Sequence, residues 1–157
     1  MIRAAVLTIS DRCAMGAQQD LSGPTAVQML SDAGIKVTQT AILADDRQQI
    51  TDRLRELVDT GVDLIITTGG TGLGPRDVTP EATLDVIERL VPGLVEATRA
   101  EGFKKTPNAI LSRGYAGLCK QTLIINLPGS VTAVKECLEV LIPLLPHAVH
   151  MMQGGGH

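Results

Sequence analysis

Residues 63–82, DLIITTGGTGLGPRDVTPEA, constrain the fold more than any other stretch of the chain. Leu64, Ile65 and Ile66, with β-branched Thr67 and Thr68 behind them, form an apolar run of strand length without polar alternation, which reads as a parallel strand buried on both faces. The run breaks directly into Gly69, Gly70, Thr71, Gly72 and Gly74, and after Pro75, Arg76 and Asp77 a helix begins near Thr79-Pro80-Glu81. Glycine admits φ > 0 and lets backbone N–H groups approach a ligand with no Cβ in the way. A strand, a glycine turn and a helix start in that order make an anion-binding mouth. Arg76 and Asp77 put a cation and a potential metal ligand on the same loop. The pattern points to a site for a phosphorylated molecule.

The rest of the chain alternates strands with helices, which predicts an α/β fold: a three-layer αβα sandwich with a mostly parallel central sheet and a small hairpin extension. Strands are read at 2–9, 37–43, 63–68 and 122–127. A helix opens at Ser22-Gly23-Pro24, with Ser22 as N-cap, and stops at Gly34. A second spans 47–59, where Ile50, Leu54, Leu57 and Val58 recur at helical spacing. A third is expected over 80–90, and a fourth behind Pro92-Gly93 runs to Lys105, before Thr106-Pro107 ends it. The glycine-broken segment 112–121 reads as a small hairpin. The last helix carries Val131, Val134, Leu138, Leu141 and Leu145 on one stripe, and Pro143 and Pro146 must kink it or end it early. One domain over 1–152 is expected, with a disordered tail at 153–157.

Composition excludes several classes. At 157 residues the chain can bury about 70% of its unfolded surface as one domain. A net charge of −3, with one Phe, one Tyr and no Trp, supplies neither a basic face nor a base-stacking platform, so nucleic acid is not an expected partner. Cys13, Cys119 and Cys137 are odd in number and lack CxxC spacing, which fits reduced thiols in a cytoplasmic protein. The opening MIRAAVLTIS is strand-sized and runs into SDR, and no apolar run reaches the ~18 residues of a membrane span. His147 and His150 stand three apart with no third ligand near, which reads as a surface or interface pair.

Ligands of an open parallel sheet bind beyond the carboxyl ends of its strands. Four loops fall at that edge: Ser10-Asp11, Asp45-Asp46, the glycine loop through Asp77, and Pro128-Gly129-Ser130. Carboxylates occur in three of them. Phosphate chemistry uses a divalent cation held by one or two carboxylates and the phosphate itself, so Asp45 and Asp77 are the metal-ligand candidates, with Arg76 or a lysine for the phosphates. Asp46 reads more readily as a helix N-cap than as a catalyst, whereas Pro128-Gly129 serves equally as a strand terminator. No lysine follows the glycines as in a P-loop, and no G-x-G-x-x-G lies near the first strand, so neither an ATPase P-loop nor a dinucleotide fingerprint is present.

TTGGTG at 67–72 followed by PRDVTPEAT at 75–83 resembles the molybdenum-cofactor biosynthesis family, which includes molybdopterin adenylyltransferases and the G domain of gephyrin-like proteins. LTISDR at 7–12, DLSGPTAV at 20–27, AILSRGYAG at 109–117 and LIINLPGS at 123–130 follow in family order, so the resemblance covers nearly the whole chain. It implies a three-layer α/β fold, a homotrimer or higher homo-oligomer, and transfer of AMP from Mg-ATP to the terminal phosphate of molybdopterin with release of pyrophosphate. Molybdopterin and ATP are then the partners and Mg²⁺ the cofactor.

Carried over by position, the resemblance implies Asp45 and Asp77 as catalytic and Mg²⁺-binding residues. It implies Gly69, Gly70, Thr71 and Gly72 as the backbone cradle for the pterin or its phosphate. Ser10, Asp11 and Arg76 line the same mouth, Ser112 and Arg113 come from the LSR element, with Arg113 set toward a phosphate, and Pro128, Gly129 and Ser130 close the pocket. Ala44 stands where many active members have proline, and Val131-Thr132 replaces a proline after PGS. Inactive relatives tend to lose acidic residues in the first and PRD motifs; Asp11, Asp45 and Asp77 are kept here, which implies an active enzyme. The alternatives are a non-catalytic molybdopterin-binding carrier, and a pyrophosphatase like the competence-damage-inducible proteins, which are longer chains.

Overall fold

The computed structural model describes residues 1–156. Six strands form one sheet in the order β2-β1-β3-β6-β5-β4. β2 (Lys36–Leu43), β1 (Arg3–Ile9), β3 (Leu64–Thr68) and β6 (Thr122–Leu127) run parallel, and β5 (Ala116–Cys119) and β4 (Arg89–Leu90) extend the sheet antiparallel. Every residue of β3 and β6 is buried, as the continuous apolar runs LIITT and TLIINL require when helices cover both faces. Edge strand β2 instead alternates exposed and half-buried positions.

Alternate strand residues feed two cores. Ala4, Val6, Leu64, Ile66, Leu123 and Ile125 pack against α2 (Ser22–Asp32), α5 (Pro92–Lys105), α6 (Val131–Leu141) and α7 (Leu145–Met152). Ala5, Leu7, Ile9, Ile65 and Ile124 pack against α3 (Arg47–Asp59) and α4 (Thr79–Leu84). The result is the expected three-layer sandwich. Fully burying each large side chain contributes about 1.5–3 kcal/mol, and Leu7, Ile50, Leu54, Ile65 and Ile124 are all below 2% exposed.

Three local expectations change. The helix expected over 80–90 ends at Leu84, and Arg89 and Leu90 become an edge strand paired to Leu118 and Gly117. Val86 and Ile87 are β-branched, and Val91, ahead of Pro92, is kept out of the helical region at φ −121° and ψ 72°, so the segment favours pairing over a further helical turn. The segment 112–121 is not a hairpin in itself: β5 pairs with β6 around a two-residue turn at Lys120 and Gln121, with Lys120 at φ 52°. Nor does Ser22 cap α2; it lies buried inside the helix, and the Asp20 carboxylate accepts the Gly23 N–H at 3.0 Å.

Asp46 does cap α3, accepting from the Gln49 N–H at 2.9 Å. Pro143 and Pro146 act as expected, because a 3-10 turn at Ile142–Leu144 separates α6 from α7. In the segment read as tail, the Gly154 and Gly155 N–H groups bond back to Met151 and His150 carbonyls; His157 lies outside the described residues. Among the described residues no helix is long and apolar enough to cross a membrane.

Candidate functional site

From β1 the chain moves outward to β2, then returns past β1 to β3, so the strand order reverses between β1 and β3. At such a point the loops at the strand ends diverge and leave a crevice. A short helix, α1 (Asp11–Ala14), follows β1 there, with Ser10 as its N-cap accepting from the Cys13 N–H at 3.2 Å. The glycine loop follows β3, and Pro128-Gly129-Ser130 follows β6.

Gly69 and Gly70 have φ of 99° and 68°, where an L side chain is strained. Close approach adds to this. A Cβ on Gly69 would run into the Ile9 carbonyl oxygen, and one on Gly70 into the Thr79 hydroxyl with Asp45 Oδ1 only 3.0 Å away. A Cβ on Gly129 would stand 3.3 Å from the Gly69 α-carbon. The Gly69 N–H donates to the Leu127 carbonyl at 3.0 Å and is spent on the sheet. The N–H groups of Gly70, Thr71 and Gly72 have no hydrogen-bond partner among the described residues, so the amides left free for a ligand start at Gly70.

Arg113 braces this loop. Its Nε donates to the Gly72 carbonyl at 2.8 Å, Nη2 to the Asp77 carbonyl at 2.9 Å and Nη1 to Glu81 at 2.5 Å. Burial pushes the Glu81 carboxyl up, but the hydrogen bond and charge of Arg113 outweigh it and hold the group below its ordinary range. The Arg113 N–H also bonds to the Thr71 carbonyl, and the Ser112 hydroxyl to Thr71 Oγ1 at 3.2 Å. The sequence had set Arg113 toward a phosphate; these contacts give it a prior use. Thr79, fully buried beneath Gly70, has a hydroxyl with no partner among the described residues.

The acidic residues form a linked set. Asp11 and Asp45 exchange bonds, each backbone N–H donating to the other carboxylate at 2.9 Å. Arg76 grips Asp11 with both arms, at 2.8 and 3.0 Å. That fork, with the Asp45 N–H, holds the Asp11 carboxyl below its ordinary range. Burial pushes Asp45 up, and the charges of Asp11 and Asp77 add to the effect against the Asp11 N–H. Asp77 Oδ2 accepts from the Gly74 N–H at 2.9 Å.

Two clefts open at this crevice. The first, about 530 Å³, is lined by residues 69–72, Asp77, Ser112, Asn126 and 128–130, with Arg99, Asn108, Thr132 and Glu136 from the helical side. The second, about 380 Å³, is lined by Ser10, Cys13, Asp20, Asp45, Asp77, Gly69, Gly70, Gly129 and Ser130. Gly69, Gly70, Asp77, Gly129 and Ser130 line both, so the clefts meet at one wall.

Of the residues named from sequence, Arg76 and Arg113 line neither cleft, and Asp11 stands behind Asp45. Asp20, Asn126 and Arg99 were missed as site residues. Asp20 was visible only as part of DLSGPTAV; it accepts the Thr8 hydroxyl at 2.7 Å as well as the α2 N–H. Asn126 stood inside an apolar strand, a buried polar residue that needs partners, and it bonds Thr67, Thr83 and the Tyr115 N–H. Arg99 carried no local signal.

A family model described as a probable molybdopterin binding domain matches residues 5–147. The chain belongs to this molybdenum cofactor biosynthesis family. It is 41% identical over 156 residues to a molybdopterin adenylyltransferase of Helicobacter pylori, covering 98% of this chain and 89% of that protein. It is 45% identical over 154 residues to the molybdenum cofactor synthesis protein cinnamon of Drosophila melanogaster, covering 96% of this chain but only 26% of that longer protein. A solved structure of the molybdopterin biosynthesis enzyme MoaB from Thermus thermophilus matches with a TM-score of 0.93 at 44% identity, covering 98% of each chain.

The molybdopterin-binding family implies a magnesium ion, and the donor set in this member fits one. Among the described residues no group of three or more His, Cys, Asp or Glu gathers into an all-protein cage. Asp45 and Asp77 instead line the second cleft together, and the Oδ1 atoms of both accept no hydrogen bond from the described residues. Magnesium takes one or two carboxylates and completes its shell with water and phosphate.

Proposed function

We propose that this chain is a molybdopterin adenylyltransferase, which transfers AMP from Mg-ATP to the terminal phosphate of molybdopterin and releases pyrophosphate. The observation that carries this reading is the pair of clefts meeting at Gly69, Gly70, Asp77, Gly129 and Ser130. Joining two phosphorylated substrates requires two pockets whose ends touch. The adenylyltransferase of Helicobacter pylori, alike over nearly the full length, supports the same assignment.

In this reading an oxygen of the molybdopterin phosphate attacks the α-phosphorus of ATP. The bond from that phosphorus to the β-bridging oxygen breaks, and pyrophosphate leaves with the electron pair. The protein forms no covalent bond; it aligns the two phosphates and stabilises the charge that builds between them. The N–H groups of Gly70, Thr71 and Gly72 hold the acceptor phosphate, and Ser10, Asp45 and Asp77 line the nucleotide side. Asp11 and Arg76 hold Asp45 in place through the reciprocal carboxylate–amide bonds. A magnesium ion held by Asp45 and Asp77 would shield the polyphosphate charge.

A homotrimer working in the cytoplasm completes the reading. Exposed Phe103, Ile110 and Leu111, on α5 and the 3-10 turn after it, support apolar burial between copies, and free Cys13, Cys119 and Cys137 support a reducing compartment. Sedimentation equilibrium checks the assembly, with a species of three chain masses expected. The activity is tested by pyrophosphate release from Mg-ATP with and without molybdopterin. Pterin-dependent release is expected; pterin binding with no release would assign a non-catalytic carrier instead.

A further inference from the structure

The two clefts differ in charge. The second is lined by Asp20, Asp45 and Asp77 and, among the described residues, by no lysine or arginine, so it repels a bare polyphosphate and admits one carried with a divalent cation. The first also holds Asp77, and Glu136 paired with Lys105 at 3.8 Å, but it differs in having one cation among its described lining residues, Arg99 of α5. Arg76 is committed to Asp11, and Arg113 to the carbonyls and carboxylate of the glycine loop and α4. Neither is placed to meet a ligand in either cleft.

Arg99 is fixed at the wall of the first cleft. Its Nη1 donates to the Ser112 carbonyl at 3.1 Å and to the Gly114 carbonyl at 3.2 Å. Ser112 in turn bonds Thr71 of the glycine loop. The guanidinium is thus tied through one residue to the loop whose N–H groups at Gly70, Thr71 and Gly72 are unpartnered among the described residues. Nε and Nη2 have no hydrogen-bond partner among the described residues either, which leaves a two-donor edge that can fork onto two phosphate oxygens.

We propose that Arg99 is the cationic contact for the phosphate monoester of the cleft-one substrate, received without a metal ion against the glycine cradle. This rests on the reading of that substrate as the phosphorylated pterin and adds the residue that selects its phosphorylated form. Lysine in its place keeps the charge but loses the fork.

The full chain is titrated with hydroxymethylpterin monophosphate, and in parallel with inorganic phosphate, by ³¹P NMR without divalent cations; circular dichroism verifies that each variant is folded. Arg99→Gln is expected to weaken both ligands tenfold or more, and Arg99→Lys to recover part of the loss. Mg-ATP binding, measured by calorimetry, stays within twofold in both variants. Arg99→Gln binding both phosphates as wild type does overturns the proposal, as does wild-type protein binding neither. If Arg99-dependent phosphate binding holds while no pyrophosphate is released, the anion site stands and the transferase reading falls.

Discussion

At Gly70 the backbone sits at φ 68°, and a Cβ there would run into the Thr79 hydroxyl beside Asp45. Gly70→Ala therefore carries about 1–2 kcal/mol of left-handed backbone strain before Thr79 or Asp45 is displaced. At about 2–4 °C per kcal/mol for a chain of this size, thermal unfolding should drop by several degrees, and calorimetry should find both ligands bound more weakly. Asp77→Asn probes charge with the scaffold kept, because an asparagine oxygen can still accept the Gly74 N–H. Pyrophosphate release should vanish while pterin binding stays within a few-fold; wild-type turnover in this variant would remove Asp77 from the metal site. The glycine loop was legible in sequence because its requirement is local: consecutive residues demand positive φ and close approach. Arg99 was not, since what gives it meaning is the Ser112 and Gly114 carbonyls beyond its own helix.

The same division holds for whole elements. Parallel strands announced themselves through unbroken apolar runs, and Asp46 and the two prolines marked helix ends by chemistry confined to one turn. The pairing of Arg89 and Leu90 to β5 comes from a partner strand some thirty residues on, so a helical reading persisted through Leu90. One contact holding the truncated helix is open to test. Arg47 of α3 forks onto Asp85 at the end of α4, at 2.7 and 2.8 Å, and Thr51 adds a bond to the same carboxylate. The Arg47 bond holds the Asp85 carboxyl below its ordinary 3.8. A lowered folded value means the stabilisation is fully present above 3.8 and disappears as pH falls through the folded value. Arg47→Ala should thus lower the unfolding midpoint in urea at pH 7, by a small margin for an exposed pair, and the gap from wild type should close below pH 3.8. A gap that is constant with pH would show that the guanidinium acts only through packing.

On the scale of the molecule, the reversal of strand order between β1 and β3 decides where chemistry can occur, and it brings loops from four strands to one edge. Their convergence was readable from the alternation of elements; the division of the mouth into two clefts was not, because the wall between them is built from the close approach of Gly69 and Gly129 across neighbouring strands. That wall predicts a pattern of separable and joint defects. Thr132 lines only the first cleft and Cys13 only the second, whereas Gly129 lines both. Filling the first cleft with Thr132→Phe should weaken pterin binding and spare Mg-ATP, and Cys13→Phe should do the reverse. Gly129→Ala adds a methyl group at 3.3 Å from the Gly69 α-carbon, tighter than ordinary van der Waals contact, and so moves the shared wall. It should weaken both ligands together, each measured separately by calorimetry. Loss of both ligands on filling either cleft alone would mean that the two cavities are one site, and the end-to-end arrangement of the substrates would have to be abandoned.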